Sequence, residues 1–301
     1  MHHFAEAKGI LSANNGMNVY RGCQHGCIYC DARSVCYQMK HKFEDIEVKQ
    51  NAPELLEKAL IKKKNKIIVG TGAMSDPYIP LEKELRITRK CLEIIAKYRH
   101  GVSVLTKSDL ILRDIELLIK INENLKCVVQ MTLTAADEDV CRIIEPGVCG
   151  TLRRAEVLKL LSDNGIPVYV WFTPLLPFIN DTEDNIKGIV DLCRASGVKG
   201  IIYFGAALTL REGDREYFYD NLDIYYPGLK KKYISEYGNS YVLKSPRYNS
   251  LNSYFHSLCK KAGINSESGS IFAEIGRINR ETEQTDMFGL STLKIGGKTD
   301  I

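Results

Sequence analysis

A chain of 301 residues has room for one large core or two modest ones. Lys and Arg number 41 against 37 Asp and Glu, a balance that announces no polyanionic partner, and no run approaches the roughly 18 apolar residues of a membrane span. The apolar and charged fractions are those of an ordered globular protein, which excludes a disordered or fibrous chain.

The opening MHHFAEAKGI lacks the basic stretch and apolar core of a signal peptide, so a cytoplasmic protein without membrane association is expected. Residues 17–20 read as a short strand, and from about residue 66 β-branched runs alternate with helical patterns. The strand candidates are 66–70, 102–106, 127–133, 167–172 and 200–204. Between them, apolar residues recur at three- and four-residue spacing; Asp109 and Asp181 are predicted helix N-caps, and Gly165 and Gly197 predicted stops. Six βα units of this kind predict an α/β fold, a partial (β/α)6 TIM-like barrel of parallel strands, with a doubly wound sheet as the alternative. In parallel barrels the chemistry sits at the C-terminal ends of the strands. Beyond about residue 206 the alternation stops. Residues 209–301 read as a helical and irregular C-terminal extension capping a 1–208 core, with a loose tail from about residue 280.

Ten cysteines in a cytoplasmic chain point to metal or redox chemistry rather than to disulfides. Cys36, Cys91, Cys127, Cys141, Cys149, Cys193 and Cys259 lack ligand spacing and read as small buried hydrophobes. Cys23, Cys27 and Cys30 stand in YRGCQHGCIYCDAR, spaced C-x3-C-x2-C. Three thiolates on one short loop can converge on one cubane cluster, each holding one iron corner. Ferredoxin runs supply four ligands; three leave one iron open to a group that is not protein. The alternative is a structural zinc knuckle completed by His25 or Cys36, but zinc sites of that kind usually add a second C-x2-C pair, and none follows. His25 is expected to face solvent or to support the ligands.

Polar residues follow each of the next strands. GTGAMSDPYIPLE brings Ser75 and Asp76 to the mouth, VLTKSDLILRD brings Lys107, and Thr132 and Thr134 close the fourth strand. Glu145 to Gly147 (EPG), Arg153 and PLLPFIND come next.

With Tyr29 before the third cysteine, the loop matches the radical S-adenosylmethionine (SAM) signature. From about Tyr20 to Tyr233 the chain resembles the spore photoproduct lyase and "DNA repair photolyase"-like radical SAM proteins. The resemblance rests on RGCQHGCIYCDAR, GTGAMSDPYIPLE, LTKSDLILRD, EPG with Arg153, PLLPFIND and TLREGDREYFYDNLDIYYPGLKKKY. It implies a [4Fe-4S] cluster on Cys23, Cys27 and Cys30 and bound SAM. It also implies an electron donor such as flavodoxin or ferredoxin, and a hydrogen-abstracting enzyme whose substrate is nucleic acid. Ser75 and Asp76 would meet the amino end of SAM, Lys107 its carboxylate, and Thr132 and Thr134 would offer hydroxyls; Tyr29 is the aromatic of the signature. Two positions depart from the lyase. Ala73 stands where it has a hydrogen-donor cysteine, and Asp31 where it has a tyrosine, which argues against the lyase's own photoproduct cleavage. A radical SAM enzyme on a small metabolite, or a non-catalytic iron–sulfur adaptor, are the other readings.

Tyr217, Tyr219, Tyr225 and Tyr226, interleaved with Arg211, Arg215 and Lys230 to Lys232, read as a cap on the open barrel, with an oligonucleotide clamp as the alternative. Near the end, Gln284, Met287 and Phe288 form a QTDMF pentapeptide similar to those that dock on the bacterial sliding clamp.

Overall fold

The computed structural model describes residues 1–278. In chain order it runs through strands β1 (His2–Ala5), β2 (Gly16–Met17), β3 (Tyr20–Arg21) and β4 (Ile46–Lys49), then helix α1 (Ala52–Ile61) and strand β5 (Ile68–Thr71). Helices α2 (Glu82–Leu85) and α3 (Ile87–Lys97) lead to β6 (Gly101–Thr106), and α4 (Ile115–Asn124) leads to β7 (Cys127–Thr132). Helices α5 (Glu138–Ile144) and α6 (Thr151–Asp163) lead to β8 (Val168–Trp171), and α7 (Glu183–Ala195) to β9 (Gly200–Ile202). After these come β10 (Ala207–Thr209), α8 (Asp214–Tyr225), α9 (Leu229–Tyr237), β11 (Val242–Lys244), α10 (Tyr248–Ala262) and α11 (Ser268–Gly276).

Strands β2, β5, β6, β7, β8 and β9 form one parallel sheet in that order. A doubly wound sheet reverses its strand order at a switch point; here spatial order follows chain order throughout, and β2 and β9 remain unpaired with each other. The result is the open, partial barrel expected.

Side chains alternate across each strand, so the two faces of the sheet bury different partners. Val102, Val104, Val129, Met131, Val168 and Val170 pack outward into the main core with helix residues such as Leu92, Ile95, Leu118 and Leu158. Val128, Tyr169 and Ile202 point inward, where Ile271 and Ile275 of α11 cover them. The edge strand β9 is also closed, since Ile201 N–H donates to the Asn265 carbonyl at 2.8 Å. A separate core joins the cysteine loop (Cys27, Ile28, Tyr29) to Leu208, Leu210, Phe218, Leu222, Tyr233 and Leu243, so β10, β11, α8 and α9 pack directly against that loop.

Gly165 and Gly197 end α6 and α7 with φ of 76° and 71°, the left-handed turn that glycine adopts without Cβ strain. The predicted N-caps are displaced by one residue. Ser108 Oγ accepts from Leu110 N, and Thr182 Oγ1 accepts from Asn185 N, while Asp109 and Asp181 stand one place after and one place before them. The antiparallel pair β10–β11 lies in a stretch expected to be helical and irregular. The β1–β4–β3 sheet, with β1 and β4 parallel, was likewise not anticipated. The QTDMF segment and the tail from about residue 280 fall outside the described residues.

Between α3 and β6, His100 is buried, and its Nδ1 accepts the Ile67 N–H at 3.1 Å. Burial, together with nearby Lys66 and Lys63, pushes its pKa down to about 4 from 6.5. The unfolded chain therefore takes up this proton first as pH falls. The stabilising contribution is present above about pH 6.5 and is lost toward pH 4. Denaturant titrations of His100→Gln are expected to show a shallower loss of stability across that window than the wild type.

Candidate active site

The loop carrying the three cysteines leaves β3 and is tied down from three sides. Cys23 N–H donates to the Phe43 carbonyl at 3.2 Å, Ile28 N–H to Ile144 at 3.0 Å, and Gly147 N–H to His25 at 2.8 Å. Two glycines permit this closeness. A Cβ on Gly22 (φ 90°) would sit 2.4 Å from the Phe43 oxygen, and one on Gly147 would sit 2.7 Å from the His25 oxygen. The EPG motif is thus the clamp on the back of the loop.

Cys23, Cys27 and Cys30 line one cavity of about 300 Å³ together with His25, Tyr29, Ser75, Asp76, Lys107, Thr132 and Trp171. Apart from the loop residues, these stand at or just after the C-terminal ends of β5 to β8, where a parallel barrel places its chemistry. All ten cysteines are free thiols. Burial, with Asp76 close by, pushes Cys23 up to about 12; burial also raises Cys27 and Cys30, against the opposing pull of Lys107. Buried thiols of this kind become thiolates when a metal takes the place of the proton. Backbone N–H groups of His25 and Asp76 at Cys23, and of Ala32 at Cys30, favour the ionised sulfur.

The donor set fits a cluster better than a single ion. Three sulfurs on one zinc at about 2.3 Å would stand under about 4 Å apart. Among the described residues the only trio of candidate ligand atoms within 4.8 Å of one another is His3, His41 and Glu47, none of which lines this cavity. The zinc-knuckle alternative also lacks a fourth ligand. Cys36 is exposed with its sulfur 3.2 Å from Arg211, outside the cavity, and His25 turns its Nδ1 to Asp76 at 3.4 Å. His25 is buried, so the solvent-facing expectation gives way to the supporting one. Of the seven scattered cysteines, five are buried as expected; Cys36 is exposed and Cys149 partly so.

Tyr29 is buried and its hydroxyl bonds to Glu145, also buried. Glu145 in turn takes 2.6 Å from Arg154 Nη2, while Arg154 Nη1 donates 2.6 Å to the Thr132 carbonyl. Arg154 has no exposed surface. Burial alone would raise the Glu145 pKa, but Arg154 and Lys107 hold it below its ordinary value. This chain of bonds links the cluster loop to the end of β7. Arg153, singled out in the sequence, lies at the surface and pairs with Asp109 and Glu156. Its neighbour Arg154 is the arginine that joins this network, and helical spacing to Val157, Leu158 and Leu161 is the signal that marks it as inward.

Asp76 is an organiser of the strand ends. It accepts from Tyr78 N (2.8 Å), Thr106 Oγ1 (2.7 Å) and Lys107 N (2.7 Å). Ser75 Oγ donates to the Gly22 carbonyl at 2.5 Å, fixing the loop start. Lys107 reaches over Tyr29, its Nζ 5.9 Å from the ring centroid. Burial lowers its pKa, but Cys27, Glu145, Cys30 and Asp76 more than offset this and raise it, so Lys107 is a cation. Thr132 faces the cavity; Thr134 is fully buried outside it, and its hydroxyl has no partner. Ala73 and Asp31 both line the cavity, and Tyr37, also in the lining, donates to Asp31 at 2.6 Å.

The motif ends carry a second buried network. Glu82 and Asp114, both fully buried, share Arg113 at 2.8 and 2.7 Å. Glu82 also bonds the Tyr20 hydroxyl, and Asp114 takes Arg89 at 2.7 Å and Tyr78 at 3.1 Å. Further along, three of the basic residues of the C-terminal segment are already engaged. Arg215 donates to the carbonyls of Leu210 and Ser240, Arg211 to Tyr241, and Lys230 to Asp223, while Arg33 lies 3.7 Å over the Tyr217 ring.

Among the described residues no helix is long and apolar enough to cross a membrane. The model of the Radical SAM superfamily matches residues 17–193, more than half of the chain. An uncharacterised protein of Methanocaldococcus jannaschii is 36% identical over 176 residues, covering 58% of this chain and 65% of its own. One from Mycobacterium bovis is 26% identical over 232 residues, covering 73% and 66%. The chain thus spans about two thirds of the length of these relatives, 65% and 66%. In fold it is similar to spore photoproduct lyase complexed with dinucleoside spore photoproduct (TM-score 0.61, 13% identity, covering 88% of this chain and 80% of that one). It is also similar to Streptococcus suis SuiB bound to S-adenosylmethionine (TM-score 0.51, 12% identity, 84% and 49%). With the family matched across the barrel and the cysteine loop at its mouth, the chain belongs to the radical SAM superfamily, whose cofactors are a [4Fe-4S] cluster and SAM.

Proposed function

We propose that Cys23, Cys27 and Cys30 hold the [4Fe-4S] cluster and that SAM lies against Lys107, Thr132 and the Ser75–Asp76 turn. The observation that carries this reading is the sharing of one cavity by three loop thiols and the polar ends of the strands, with no fourth cysteine in its lining. Reductive cleavage of SAM to a 5′-deoxyadenosyl radical that removes a substrate hydrogen is the chemistry the two cofactors supply when bound.

The chain's own residues position and enclose. Lys107 presents the cation for the SAM carboxylate. Asp76 holds Lys107 and Thr106 in place through its two oxygens. Tyr29, backed by Glu145 and Arg154, fixes the loop between the second and third cysteines. Thr134, away from the cavity, is left out of the SAM contacts. Replacing Lys107 by Ala is expected to raise the SAM dissociation constant by at least about tenfold while iron content is unchanged. Calorimetry on the reconstituted protein checks both.

The substrate in this reading is a carbon–hydrogen bond in nucleic acid. Its support is the fold shared with a lyase complexed with a dinucleoside, and an open barrel mouth beside the partly buried Trp171. Ala73 and Asp31 argue against photoproduct cleavage itself. Comparing 5′-deoxyadenosine formation with and without DNA or RNA oligonucleotides tests this; stimulation only by small metabolites would sink it. A capping role for residues 209–278 belongs to the same proposal, supported by the shared core of α8, α9 and the cysteine loop. So do a flavodoxin- or ferredoxin-like electron donor and a cytoplasmic setting, which ten free thiols suit. Sliding-clamp docking through Gln284, Met287 and Phe288 rests on the sequence alone; a 284–288 deletion that leaves clamp binding unchanged ends it.

A further inference from the structure

The small sheet beside the cluster loop carries side chains for which the radical chemistry has no use. His3 of β1 and Glu47 of β4 are register partners in the parallel pair, and His41 stands in the segment leading into β4. One ring nitrogen of each histidine and a carboxylate oxygen of Glu47 lie within 4.8 Å of one another. The two imidazoles meet edge to face, with centroids 4.8 Å apart at 85°.

The hydrogen bonds set the roles of the ring nitrogens. His41 Nδ1 lies 3.0 Å from the Lys42 carbonyl, which only accepts, so the proton resides there. In the neutral ring that leaves Nε2 as the lone pair. It is buried, has no hydrogen-bond partner, and faces Glu47 Oε2 at 3.7 Å. A neutral ring's lone pair set against a carboxylate is repulsive unless a proton or a metal ion lies between them. Two donors on one tetrahedral ion at about 2.0–2.2 Å stand about 3.4 Å apart, close to this separation. His3 Nδ1 lies 3.2 Å from Asp45 Oδ2, the carboxylate backing that orients a metal-ligating imidazole and leaves Nε2 for the ion.

We propose that His3, His41 and Glu47 form a zinc site, with Asp45 and the Lys42 carbonyl fixing the two imidazoles and a fourth position open to water. Two imidazoles and a carboxylate suit a borderline-soft divalent ion. The ion fastens β1 to the segment whose Phe43 carbonyl holds Cys23 N–H, so it braces the start of the cluster loop from outside.

The test uses the full chain with its iron–sulfur cluster loaded, so that the cluster cysteines are occupied, and Zn²⁺ as the probe. After titration and desalting, one zinc per chain is expected beyond the cluster iron. His3→Ala and His41→Ala are each expected to weaken zinc binding by roughly 100-fold or more, and Asp45→Asn by about tenfold, with iron content unchanged. A zinc K-edge spectrum of the wild type, which needs no variant to fold, is expected to show nitrogen and oxygen neighbours. No retained zinc, zinc held equally well by both histidine variants, or sulfur neighbours in the spectrum would each overturn the site.

Discussion

Replacing Arg154 by Ala is expected to cost roughly 3–5 kcal/mol of stability and to lower the iron content of the reconstituted protein. Arg154 has no exposed surface and neutralises Glu145, equally enclosed, at 2.6 Å. Removing the guanidinium leaves a carboxylate with no counter-ion at that distance and an unsatisfied Thr132 carbonyl, both far from water. Glu145 then takes up a proton or draws in solvent. Either change disturbs the bond to Tyr29, on which the loop between Cys27 and Cys30 leans. Lys does not rescue this site, because a single ammonium cannot span the carbonyl and the carboxylate as the planar fork does. A Glu145→Gln, Arg154→Met double variant is expected to recover much of the stability, since no charge remains buried. Denaturant unfolding combined with iron analysis of the three variants checks the account. Additive losses in the double variant would contradict it.

Glu82→Ala is expected to be comparably severe, about 3 kcal/mol or more, but to act through the barrel and not through the loop. Glu82 joins Tyr20 before the cysteine loop to Arg113 after β6, and accepts from Thr88 and Arg89 backbone N–H groups at 3.0 and 3.2 Å. Its loss strands the Tyr20 hydroxyl and part of the Arg113 guanidinium. Asp114 remains as a partner for Arg113, which limits the damage. The expected signature is a lower unfolding midpoint with normal SAM cleavage per loaded cluster at a temperature where the variant is folded. A variant as stable as the wild type would remove this network from the explanation of why the two motifs end as they do.

How much of this was legible in the sequence depended on range. All six strands of the sheet lie within or beside the β-branched runs that predicted them, because a parallel sheet buried on both faces concentrates Val and Ile in short blocks. The glycine stops held because a left-handed turn is a local requirement. The N-caps slipped by one residue because an acidic side chain and a hydroxyl side by side at a helix start are both favoured there, and only geometry separates them. Pairings far apart in sequence were not readable. The β1–β4 and β10–β11 pairs involve strands of three or four residues, too short to show a period.

The site followed the same division. The spacing of Cys23, Cys27 and Cys30 and the polar strand ends put Tyr29, Ser75, Asp76, Lys107 and Thr132 with the thiols in one cavity, while Thr134, Glu145 and Arg153 stand outside its lining. Thr134 is two residues beyond Thr132, but β7 has ended by then and the chain turns the hydroxyl into the core. The buried partner of Glu145 is Arg154, one residue after the Arg153 that the motif singled out, although the helical phase of Arg154 was available. Asp76 and Ser75 are more committed to protein hydrogen bonds than their place in a motif suggested.

Anaerobic reconstitution with iron and sulfide, reduction by dithionite and quantification of 5′-deoxyadenosine released from SAM test the central claim most directly. The account predicts product from the wild type and none from Cys23→Ala, Cys27→Ala or Cys30→Ala. A fully loaded cluster that neither binds nor cleaves SAM, or cleavage that survives the loss of any one of these cysteines, would contradict it.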